Sequence, residues 1–142
     1  MNKFKAISLG LFVGLVASYI NVVTAGFVAA YMPISLAEMT EGMSQKYINL
    51  IIQSFLIFEG FLAALPMAIA GYIFILTFKL NADKLFLIIS VGVLLGCHLY
   101  ISYKTPLTIF LIISIAVPCI LLWFGLSAPN KQLKNGRLTA AL

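Results

Sequence analysis

Four long apolar stretches divide the chain, and their pattern predicts its architecture before any single residue is considered. The first, 6–32, carries no charge and is about 40 Å long as a helix at about 1.5 Å per residue. The second, 47–78, holds one carboxylate, Glu59, and one proline, Pro66. It is too long for a single upright crossing, so it is expected to tilt, to kink at Pro66, or to emerge into an interface before Lys79. The third, 85–103, matches the thickness of a bilayer and carries Cys97 and His98. A short turn at 104–106 leads into the fourth, 107–128, which contains Pro118, and a basic tail occupies 129–142. A proline inside a spanning helix is tolerated where neighbouring groups satisfy the carbonyl it frees. Strands of a membrane barrel are about 10 residues long and alternate in polarity, whereas these runs are longer and apolar on every face. The expected fold is therefore all-α: a polytopic membrane protein, one membrane domain over 1–142, folded as a four-transmembrane-helix bundle.

Composition agrees with that pattern. Of 142 residues, 63% are hydrophobic and 9% charged, against about 25% charged in a typical soluble domain. Too few charges are present to cover a water-facing surface, which excludes a soluble enzyme or a nucleic-acid-binding domain; the expected surrounding medium is a lipid bilayer. The basic residues also predict orientation, because short cytoplasmic loops retain Lys and Arg. Lys3, Lys5, Lys79, Lys84, Lys131, Lys134 and Arg137 fall on one side of the four spans, and Lys46 and Lys104 on the other. Both termini are thus expected in the cytoplasm, with the chain multi-pass in a cell membrane of the bacterial inner-membrane type. The net charge of +5 then needs no nucleic acid as partner. One rival exists at the start: Lys3 and Lys5 before an apolar run ending in the small residues 23–25 also resemble a cleavable secretory signal, although the run continues well beyond the usual length of a signal core. In the loop 33–46, Ser35 and Glu38 have capping-box spacing, which suits a short amphipathic helix lying in the interface as well as a plain connection.

Small residues recur at helical spacing. Lipid tails are as apolar as leucine, so helices in a membrane associate through the close contact that small side chains permit. The first span has Gly10, Gly14, Ser18, Asn21, Ala25 and Ala29 on one face. The second has Gly60, Ala64, Ala68 and Gly71, and the third Gly92 and Gly96. Helix packing is accordingly assigned to Gly10, Gly14, Ser18, Ala25, Gly60, Ala64, Gly92 and Gly96, first within the chain's own bundle and otherwise toward a homo-oligomer or a membrane-protein partner.

The candidate site comes from polar groups at membrane depth. A charged side chain at the bilayer centre costs about 2.5–3.5 kcal/mol on insertion scales, so such residues normally face a bundle interior or a wet cavity. Glu59 lies about 18 Å inside the second span, and a carboxyl there can take up and release a proton. His98, Gln53 and Asn21 come out at nearly one level, with Glu59 slightly below. They are expected to form either a ligand- or proton-binding group or a set of interhelical hydrogen bonds that fix packing. One histidine and two cysteines, Cys97 and Cys119, supply neither zinc-ligand spacing nor a pair of axial imidazoles. No cofactor, metal or catalytic residue is assigned. The leading expectation is a non-enzymatic membrane protein acting by binding, as an accessory, assembly or immunity-type subunit. The alternative is a small oligomeric proton-coupled transporter or channel that uses Glu59.

Overall fold

The computed structural model describes residues 2–31, 41–80, 82–104 and 108–139, and among these the chain is all-helical. Helix α1 spans Lys3–Tyr31, α2 Gln45–Thr77, α3 Lys84–Ser102 and α4 Ile109–Thr139. All four are long and apolar enough to cross a membrane. The interfacial helix considered around Ser35 and Glu38 lies outside the described residues. α1 continues through 23–25 as one helix, and α2 passes through Pro66 with no break. α4 also runs on beyond its expected end at 128, through Pro129 to Thr139. The basic segment after the apolar run is thus partly helical, since Lys, Gln, Leu and Arg all favour helix once an upstream helix has nucleated it.

Local chemistry sets two of the helix ends. Asp83 caps α3 by accepting a hydrogen bond from the Phe86 backbone N–H at 2.9 Å. At the end of α2, Lys79 takes the left-handed conformation at φ 48°. The Leu80 N–H then reaches back to the Ile75 carbonyl at 3.1 Å, as in a Schellman termination.

The bundle is built from two parallel pairs. Along α1 and α3, Gly10 faces Phe86 and Ile89, Gly14 faces Ser90 and Val93, and Asn21 meets His98. The positions rise together, so these helices run in the same direction. Gly60 facing Ser114, Gly125 facing Ala68 and Gly71 facing Leu126 give the same result for α2 and α4. The two pairs run antiparallel to each other. In cross-section α1 neighbours α2 and α3, and α4 neighbours α2 and α3. The consecutive helices α2 and α3 are diagonal and scarcely touch. Phe86, Met67, Ile75, Leu94, Leu122 and Leu126 fill the centre and are fully buried. Phe12, Tyr19, Phe27, Phe58, Ile88 and Phe124 point outward, an exterior as apolar as the interior and suited to hydrocarbon.

The packing residues expected from the sequence divide into two groups. A Cβ placed on Gly14 would come within 2.7 Å of the Ser90 carbonyl oxygen and the Val93 Cβ, and one on Gly10 within 3.0 Å of Ile89. Ser18 is buried beside them, its hydroxyl donating to the Gly14 carbonyl at 2.8 Å, and Ala64 is fully buried in α2. Gly92 and Gly96 differ: among the described residues, no atom beyond their own stretch of helix lies within 4 Å of where their Cβ would be. The helix's rotation accounts for the difference. α3 turns Phe86, Ser90 and Leu94 inward, and a residue two positions away from these lies on the opposite face. Among the glycines of the α2–α4 seam the tightest is Gly125, whose Cβ would strike the Ala68 carbonyl.

The two groups predict opposite responses to one methyl group. Gly14→Ala and Gly125→Ala should each cost about 1–3 kcal/mol through overpacking, whereas Gly92→Ala and Gly96→Ala should leave stability unchanged or raise it. Reversible unfolding by SDS in mixed micelles measures both.

Candidate functional site

A cavity of about 370 Å³ opens between the four helices, in the half of the bundle where α1 and α3 end and α2 and α4 begin. Each helix places polar groups on it because each turns a small or polar residue inward at this level. α1 contributes Asn21, α2 contributes Gln53 and Glu59, α3 contributes His98, and α4 contributes Ser114. All four residues expected as a site from the sequence therefore line one space. Ala25 and Gly60, expected as packing residues, line it too, and their small side chains leave it open. Ser102 and Thr108 extend the lining to the end of the bundle.

Asn21 is the most deeply buried of the polar group, at 4% exposure. Its Nδ2 lies 3.1 Å from His98 Nε2. With the amide donating, His98 Nε2 accepts and the ring is neutral, its proton on Nδ1. The other end of the amide, Oδ1, is buried and has no hydrogen-bond partner among the described residues. A buried acceptor left unmatched costs about 1–3 kcal/mol, a cost that a donor entering the cavity would remove. Glu59 is half-buried on the facing helix.

α4 adds a feature the sequence-level assignment missed. Pro118 has no N–H, so the Ser114 carbonyl loses its ordinary helical donor four residues on, and both residues line the cavity. The Ser114 hydroxyl is committed elsewhere, donating to the Leu111 carbonyl at 2.9 Å. The signal was present in the sequence, since any intrahelical proline frees the carbonyl four positions earlier. Only the bundle geometry tells which way that carbonyl faces.

Among the described residues that line the cavity there is neither a lysine nor an arginine. Among the described residues no three His, Cys, Asp or Glu side chains are grouped closely enough to hold a metal ion. Cys97 and Cys119 are half-buried free thiols. The arrangement offers hydrogen bonding and one exchangeable proton on Glu59, beside the apolar walls of Phe110 and Ile115. Comparisons with protein-family models, curated proteins and solved structures find no match. The chemistry of these residues alone carries the functional reading.

The Asn21–His98 pair is open to direct measurement. A double-mutant cycle with Asn21→Ala and His98→Ala, followed by unfolding in detergent micelles, should give a coupling of about 0.6–2 kcal/mol, the range of interhelical hydrogen bonds in membranes. Additive single effects would mean that the two side chains do not interact.

Proposed function

We propose that this chain is a multi-pass protein of a cytoplasmic membrane, with both termini on the cytoplasmic face, that works by reversible binding in the cavity between its helices. It serves as the solute- or proton-binding unit of a small carrier and performs no chemistry on what it binds. The observation that supports this most strongly is the convergence of Asn21, Gln53, Glu59 and His98 from three helices on one cavity. Polar groups at membrane depth are expensive and ordinarily mark a ligand or proton pathway. A volume of about 370 Å³ also falls within the range of about 300–1,000 Å³ common for small-molecule sites. The seven-to-two distribution of Lys and Arg supports the orientation, and in that orientation the cavity faces the outer side. Passage to the inner side would require the tight seams at Gly14 and Gly125 to loosen, or a second copy to complete the path.

A second reading, an accessory or assembly subunit, is favoured by the outward-facing Gly92 and Gly96, whose Cβ positions meet no other helix among the described residues. Gly14, in contrast, is engaged by the bundle itself and cannot report on a partner. Affinity purification from native membranes, repeated with Gly96→Leu, separates the readings. A co-purifying protein lost in the variant supports the accessory role, and recovery of the chain alone counts against it.

For the binding role the test is Glu59→Gln in proteoliposomes. The variant should insert and keep its helicity but lose pH-dependent proton uptake, followed with an entrapped pH-sensitive dye. Unchanged uptake would reduce Glu59 to a packing residue. A cytoplasm-active reporter fused after Leu142 should be active; an inactive reporter would reverse the orientation.

A further inference from the structure

We infer that the cavity takes a protonated primary amine, a small organic ammonium whose N–H groups meet its polar end and whose apolar body lies against its walls. This rests on the cavity being a binding site, and it specifies the ligand.

The sign of the charge comes from what lines the space. Among the described residues that line it, Glu59 is the one carboxylate and there is no lysine or arginine. His98, accepting from Asn21 through Nε2, is neutral in that pairing and adds no positive charge. A carboxylate partly withdrawn from water either takes up a proton or pairs with a cation, and the ligand supplies that cation. The lack of any metal-binding cluster among the described residues, together with the apolar walls of Phe110 and Ile115, favours an organic cation over an inorganic one.

The type of cation comes from the unmatched acceptors. Asn21 Oδ1 is buried without a partner among the described residues, and Asn21 itself is more than nine-tenths buried on the cavity wall. Pro118 leaves the Ser114 carbonyl without its helical donor. With the Glu59 carboxylate, three residues that line the cavity from three helices each carry an acceptor, and a primary ammonium carries three N–H donors. A quaternary ammonium has the same charge but no N–H, and would leave Asn21 Oδ1 as it stands. The cavity therefore discriminates between two cations of equal charge by their hydrogen-bonding capacity.

The experiment uses the full chain in lipid nanodiscs and calorimetric titration with benzylammonium, benzyltrimethylammonium, benzyl alcohol, benzoate and sodium. Benzylammonium is expected to bind at least tenfold more tightly than the trimethyl compound or the alcohol. Glu59→Gln should weaken it at least tenfold. Asn21→Ala should do the same while leaving the trimethyl compound unaffected; where that variant loses helicity, the nearly isosteric Glu59→Gln still reads the preference for a cation. Equal affinity for the two cations overturns the inference. Binding of benzoate, benzyl alcohol or sodium in preference also overturns it, yet leaves the cavity a binding site if Gly60→Phe, which fills the space, abolishes that binding. A natively helical chain that binds none of the probes overturns both the amine and the cavity as a binding site.

Discussion

The architecture depends on how closely two pairs of parallel helices can approach, and that approach is uneven along the bundle. In the half where α1 and α3 begin, Gly14 brings the α1 backbone against Ser90 and Val93, and Gly125 brings α4 against the Ala68 carbonyl. Neither contact leaves room for a methyl group. In the other half the matching glycine, Gly60, has ordinary clearance, its Cβ position 3.7 Å from the Ser114 carbonyl oxygen. Tight seams at one end and a looser one at the other leave space between the helices, and the cavity occupies that looser half. Because lipid offers no hydrophobic drive for helices to associate, this close van der Waals contact is what holds the pairs together and so determines where the cavity lies.

Polar groups in the spans follow two different arrangements. Several hydroxyls are satisfied by their own helix: Ser18 donates to Gly14, Thr24 to Ile20, Ser54 to Leu50 and Ser90 to Phe86, each four residues back. Such residues can enter hydrocarbon at little cost. Asn21, Glu59 and the Ser114 carbonyl cannot use that device. An amide has more groups than one turn of helix can satisfy, a carboxylate accepts only, and a carbonyl ahead of a proline has lost its donor. The residues that carry these groups line one cavity. In a chain with 9% charged residues, the places where polarity is not neutralised locally are few, and three of them share one site.

The outer surface follows a simpler logic. Large apolar side chains such as Phe61, Ile73, Leu99 and Ile112 face away from the bundle, where hydrocarbon is their natural contact. Aromatic groups gather at the end of α3, where Tyr100 and Tyr103 stack with ring centroids 6.2 Å apart and the Lys104 ammonium lies 5.4 Å from the Tyr103 ring centre. Amphipathic groups of this kind anchor a span end at the membrane–water boundary.

The all-α class, the four spans and the candidate polar residues were legible in the sequence because each depends on local information: run length, the scarcity of charge, and the rarity of a carboxylate inside an apolar stretch. Depth was legible as well, since rise per residue converts position into height and places Asn21, Gln53 and His98 near one level. Rotation about the helix axis and the order of helices around the bundle were not. Spacing alone makes Gly92 and Gly96 look as suited to packing as Gly10 and Gly14, and gives no sign that Gly125 makes the closest contact or that α2 and α3 stand diagonally apart. On helices apolar all round, no amphipathic face announces which side turns inward. That choice is made by the joint fit of four surfaces, so only the tertiary structure decided which glycines touch and that the polar residues of separate helices surround a single space.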